Sequence, residues 1–186
     1  MRVLGLDPGS RRTGYGVVEG RGNQWRCLTR GVIVPPARAT LPERLYAIAS
    51  RAGTLIEEFA PDCVAVEEAF YHENVRSTLV LGHVRGALLV AAVERRVAVS
   101  EYTPREIKMS VTGNGGAAKE QVAYMVRRLL SLDGVLEVDA SDALATALCH
   151  LHRARRPAAL GAARAGADGL AALLARRVVA RKVVRP

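Results

Sequence analysis

Cysteine is scarce: Cys27, Cys63 and Cys149 stand far apart in 186 residues, with no C-x-x-C spacing. An odd, scattered set argues against a disulfide framework and against zinc, and for a reducing, cytoplasmic setting. No apolar run is expected to reach the roughly 18 residues that cross a bilayer. The N-terminus opens directly on a strand-like run, without a basic-then-apolar leader, and there are no internal repeats. The four histidines show no triad or ligand spacing, and His150 and His152 are expected as surface groups favoured by a helix C-terminus. Acidic excess is also missing. The net charge is +9 and the pI about 10.2, which invites a nucleic-acid partner. Residues 151–186 hold nine of the basic residues against one acid, Asp168. Most of the excess therefore sits in an Ala/Arg/Gly-rich end, expected as a flexible, solvated tail over 156–186.

What remains is globular, with 49% apolar residues, and long enough for one α/β domain with a real core, expected over 1–155. Val3, Leu4 and Leu6 make a short buried strand that ends on Asp7, and Pro8-Gly9 forces a turn. An ionised carboxylate at the lip of a buried strand costs several kcal/mol unless paired or bound to a cation. Asp also commonly starts a Pro-Gly turn, so this segment alone leaves both readings open.

Runs at Gly14 to Val18 and Trp25 to Val34 complete a β meander with short breaks. Leu41 to Phe59 has one apolar face and an N-cap at Thr40, with Pro42 and Glu43 in the first turn. Cys63 to Val66 is a second buried strand ending in acid, Glu67-Glu68. Glu68 is expected to face away from Glu67, because adjacent strand residues do. Residues 74–95 read as a helix apolar nearly all round between Leu79 and Val93, which predicts burial on more than one side. A strand at Val97 to Val99 follows, then a short helix from near Pro104, a Gly-rich loop at 112–116, and helices over about 119–132 and 139–155. A meander followed by helical crossovers predicts an α/β domain with a mixed five-stranded sheet flanked by helices.

Four acids stand out: Asp7, Glu67, Asp139 and Asp142. The last two lie three apart on one helix face, among small residues that let the helix approach a sheet closely. Gathered carboxylates resist full ionisation unless cations neutralise them. Hard divalent ions suit such oxygens, and two ions about 4 Å apart can activate water and stabilise the leaving oxygen of a phosphodiester. Asp139 and Asp142 also fit ordinary acids near a helix N-terminus.

Three segments, Leu6-Asp-Pro-Gly-Ser-Arg-Arg-Thr-Gly-Tyr-Gly, Val66-Glu-Glu-Ala-Phe70 and Asp139-Ala-Ser-Asp-Ala-Leu-Ala, resemble in order and spacing the RuvC family of Holliday-junction resolvases, over about residues 1–152. The resemblance implies a ribonuclease-H-like fold and a homodimer that nicks a four-way DNA junction symmetrically, in recombination and repair. It implies two Mg²⁺ per active site, with Mn²⁺ able to substitute, and delivery of the junction by the branch-migration proteins RuvA and RuvB. By position, Asp7, Glu67, Asp139 and Asp142 match the catalytic and metal-binding acids, Asp139 being a His in some relatives. Phe70 matches an aromatic that stacks on unpaired bases, and Lys108 and Lys119 match basic positions. Lys119 would hold the scissile phosphate as a mobile point charge. Asn74 and Arg76 are further candidate DNA contacts, as is Arg105.

The loop before Lys119 lacks the Gly-Lys-Ser/Thr core of a P-loop, since Ala118 precedes the lysine and Glu120 follows it. Three other readings compete. An actin-like ATP-using enzyme shares an Asp-x-Gly-Ser hairpin but needs a second domain. A non-catalytic junction-binding module would leave the acids idle. A nuclease of the same fold could prefer RNA–DNA hybrids or linear DNA.

Overall fold

The short run that ends on Asp7 becomes the middle strand of the sheet. A computed structural model describes residues 1–22, 24–68 and 74–155; Phe70 and the segment 156–186 lie outside the described residues. In chain order the elements are β1 (Arg2–Asp7), β2 (Thr13–Arg21), β3 (Gln24–Ile33), α1 (Leu41–Phe59), β4 (Cys63–Glu67), α2 (Val75–Glu94), β5 (Ala98–Tyr102), α3 (Pro104–Thr112), α4 (Lys119–Leu130) and α5 (Val138–Arg155). The sheet runs β3-β2-β1-β4-β5. The first three strands are antiparallel and the β1–β4 and β4–β5 pairs parallel, as a meander joined to crossovers requires.

Side chains alternate across β1 and β4, so the sheet has two buried faces. Leu4, Leu6, Val64 and Val66 pack with Ile48, Leu55, Val84 and Leu88 of α1 and α2. Val3 and Ala65 point the other way, into a core with Val126, Leu144 and Leu148 of α4 and α5. Asp7 and Glu67 fall in the same alternation as Val3 and Ala65, so both emerge on the α5 side.

Small residues let α5 lie directly on the sheet. A Cβ at Gly5 would come within 2.0 Å of the Ala143 carbonyl oxygen, and one at Gly14 within 1.9 Å of the Asp139 carbonyl oxygen. Only hydrogen fits at either strand position. α1 starts as expected, with the Thr40 N–H and hydroxyl both donating to Glu43 at 2.7 Å.

Four expectations need correction. β5 runs on to Tyr102, because Ser100, Glu101 and Tyr102 stay in register with Ala65, Val66 and Glu67; their polarity hides a strand whose ladder is set by its neighbour. α2 buries Val84, Leu88, Ala91 and Ala92 but leaves Leu79 60% and Val90 56% exposed. Among the described residues its inner face packs chiefly against α1 and the sheet, and its outer face stays bare. By length and composition α2 is also apolar enough to cross a bilayer, unlike the expectation that no run would be. Here it packs on the sheet, and its Arg85 pairs with Glu101 of β5. Finally, His150 and His152 are not surface groups. The Tyr102 hydroxyl and His150 Nδ1 lie 2.7 Å apart, and His152 packs edge-on against Trp25 with Nδ1 2.9 Å from the Ser110 hydroxyl. Burial lowers both imidazole pKa values, so the neutral form is favoured there.

Candidate active site

β1 and β4 are parallel neighbours with Leu6 opposite Val66, so the residues that follow, Asp7 and Glu67, end side by side. The turn after Asp7 is pinned by Thr13, fully buried, whose hydroxyl donates to the Gly9 carbonyl at 2.6 Å. Above these strand ends, the start of α5 brings Asp139 and Asp142 over the same face, where Gly14 permits the close approach.

The four carboxylates feel one another. Burial first, then the charges of Glu67, Asp142 and Asp139, push the Asp7 carboxyl from 3.8 up to about 8 against the pull of Lys119. Burial and Asp142 push Glu67 up to about 7, with Lys119 and Lys108 pulling it down. Asp142 is also raised, because burial outweighs its pairing with Lys119 at 3.4 Å. Lys119 and Lys108 offset only part of the clustered negative charge, and the donors are all hard carboxylate oxygens, the chemistry that suits Mg²⁺ or Mn²⁺.

Among the described residues, no three acidic, histidine or cysteine side chains close into a ready-made metal shell. Two of the acids are paired with basic side chains. Lys119 takes Asp142, and Arg12, from the β1–β2 turn, donates through Nε to Asp139 at 2.7 Å and through Nη2 to Glu137 at 2.5 Å. Sequence reasoning missed Arg12. Its one available signal was an Arg-Arg pair in the turn directly after a strand-end acid.

Lys119 is the first residue of α4, where a positive charge opposes the helix dipole. Asp142, chief among its neighbours, holds the ammonium charged by raising its pKa. The Gly-rich loop ahead of it is tied by the Asn114 side chain, which accepts from the Gly116 N–H at 2.9 Å, and by the Thr112 hydroxyl. Lys108 of α3 is half-buried and near enough to lower Glu67 and Asp142. The charge of Glu68 acts on Arg85 of α2. Asn74 caps α2, accepting from the Ser77 N–H at 3.2 Å. Arg76 and Arg105 are exposed. Neither they nor Asn74 are among the groups that act on the carboxylates.

The family profile of the crossover junction endodeoxyribonuclease RuvC matches residues 3–150. A protein of that name from Bordetella petrii is 49% identical over 161 residues, covering 87% of this chain and 88% of the relative. Another, from Pelobacter propionicus, is 51% identical over 152 residues, covering 82% and 86%. The RuvC of Thermus thermophilus, solved in complex with a Holliday junction substrate, superposes with a TM-score of 0.79 at 39% identity, covering 83% of this chain and 95% of that one. The mixed five-stranded α/β architecture is thus the expected ribonuclease-H-like fold. Matched along most of its length by profile, sequence and structure alike, this chain belongs to the RuvC family of crossover junction endodeoxyribonucleases.

Proposed function

We infer that this chain is a structure-selective DNA endonuclease that resolves four-way junctions by paired, symmetric nicks. The observation that carries the reading is the buried Asp7 carboxyl, driven up to about 8 by burial and three neighbouring acids at the mouth of the sheet. A group so placed is costly to ionise and is put to use by a cation. Asp7, Glu67, Asp139 and Asp142 would hold two Mg²⁺, or Mn²⁺ in their place, which would supply Lewis acidity to a phosphodiester and lower the pKa of water.

The chain's own side chains do the remaining work. Lys119, 70% exposed and leaning on Asp142, holds a non-bridging phosphate oxygen of the scissile strand. Lys108 adds a second positive charge to the same mouth. Burial under α5 keeps bulk water from the inner carboxylates, strengthening every charge interaction there. Phe70, three residues beyond Glu67 in the sequence, is the base-stacking aromatic, and Asn74 and Arg76 are further DNA contacts.

Paired nicks need two sites facing one junction, hence a C₂ homodimer. The uncovered face of α2 supplies its contact: Leu79 and Val90 are exposed, and Gly82 and Gly86 have open space beside them, which permits close helix approach. The nuclease domain is residues 1–155. The basic segment 156–186 adds sequence-independent phosphate contacts, and RuvA and RuvB deliver the junction in the cytoplasm.

The test is cleavage of a four-way junction beside linear duplex and an RNA–DNA hybrid, with and without Mg²⁺, for wild type and Asp7→Asn. Paired nicks in the junction alone, lost in the variant while binding survives, are the expected result. Cleavage of linear DNA or hybrid instead would keep the fold and move the substrate, and no metal-dependent cleavage would overturn the reading.

A further inference from the structure

The β1–β2 turn sends Arg12 127 residues along the sequence to the start of α5, where its guanidinium spans Asp139 and Glu137. Both contacts are charge-assisted, and the fork fixes the direction in which Asp139 points. Asp139 is thus held by a guanidinium at 2.7 Å, more closely than Asp142 is held by Lys119 at 3.4 Å. Arg12 itself is 49% exposed, so nothing in the core prevents it from swinging away.

We propose that Arg12 is a counter-ion latch that competes with the divalent cation for Asp139, so that filling the metal site requires the guanidinium to let go. This rests on the reading of the acids as a metal site. Two physical effects act in the same direction. The pair with Arg12 must break before Asp139 turns inward, and the guanidinium's charge repels an arriving cation until it leaves. The pair is half-exposed, so the latch is weak and salt-sensitive rather than a block. Glu137 strengthens it by holding the second guanidinium nitrogen, and is itself no part of the cluster.

The opposite role is physically available. A guanidinium can support a metal-binding carboxylate by fixing one oxygen while the other faces the ion. The two roles differ in sign, which makes the measurement decisive. Mn²⁺ binding to the full chain without DNA is followed by electron paramagnetic resonance of the free ion, for wild type, Arg12→Gln, Arg12→Lys and Asp7→Asn. The latch predicts roughly two- to fivefold tighter Mn²⁺ binding in Arg12→Gln, the range set by exposed ion pairs. Arg12→Lys falls between Arg12→Gln and wild type, and the differences shrink as salt rises.

Unchanged or weaker Mn²⁺ binding in Arg12→Gln, with binding lost in Asp7→Asn, would overturn the latch alone. Mn²⁺ binding that survives Asp7→Asn would overturn the metal site and the latch with it. Arg12 is exposed on a turn whose fold is held by Thr13, so its variants fold, and coincident thermal unfolding in chelator checks this.

Discussion

Asp7→Asn should make the metal-free protein more stable while abolishing its response to Mg²⁺. The folded protein holds the Asp7 proton up to about 8, against 3.8 in the unfolded chain. Between those values the native state binds a proton that the unfolded state has released. The stability contributed by the Asp7 proton therefore falls as pH rises from about 4 to about 8 and is gone above that range. At about 1.4 kcal/mol per pH unit, the climb sets a ceiling of about 6 kcal/mol. The four acids titrate as one coupled group, so relaxation of Glu67, Asp142 and Lys119 absorbs much of this. About 2 kcal/mol is expected, or roughly 4–8 °C in Tm for a domain of this size. The assay is thermal unfolding in EDTA between pH 4 and pH 9, repeated with Mg²⁺. Wild type and variant should converge near pH 4 and separate progressively up to pH 8. Mg²⁺ should raise the wild-type Tm and leave the variant nearly still. A variant no more stable than wild type at pH 8 in EDTA would refute the account of Asp7 as a costly charge awaiting a cation.

Gly14→Ala should cost about 2 kcal/mol or more, since its Cβ would meet the Asp139 carbonyl oxygen at 1.9 Å and overpack the sheet–α5 contact; urea unfolding measures this, and Gly5→Ala should behave alike. Lys119→Gln should leave the fold intact, because the side chain is 70% exposed, yet slow junction cleavage roughly 100-fold if it stabilises the reacting phosphate; single-turnover kinetics on a labelled junction decides. Leu79→Glu with Val90→Glu should keep monomer stability within about 0.5 kcal/mol, as exposed sites do, and convert the dimer to monomer in sedimentation. Removing residues 156–186 should flatten the dependence of junction affinity on salt; an unchanged slope in a binding titration would take the tail out of the DNA interface.

The acids were legible from sequence because each rests on a local signal. An apolar run ending in a carboxylate marks Asp7 and Glu67, and a spacing of three on one helix marks Asp139 and Asp142. Their meeting followed from topology, since a meander with crossovers leaves β1 in the middle beside β4. Arg12 was invisible to such reasoning: its partner lies 127 residues away, and no periodicity links a turn to a distant helix start. The histidines of α5 misled for a related reason. A dipole argument registers how near the C-terminus they stand, but not that the helix presses that end against Trp25 and Tyr102. For α2, composition revealed an apolar surplus without saying which side a single chain would leave bare. The base-stacking role of Phe70 rests on sequence position alone, outside the described residues.

The glycine-thin seat of α5 has a consequence for motion. Residues 143–149, immediately after the two acids, are all buried, so this helix has no separate way to open. Its amides should exchange with solvent only through global unfolding, among the slowest in the molecule. Two walls of the acidic mouth, the middle strand and α5, therefore breathe with the whole domain or not at all. Whatever adjustment a junction demands must come from exposed side chains at the rim, Arg12 and Lys119, rather than from these two walls.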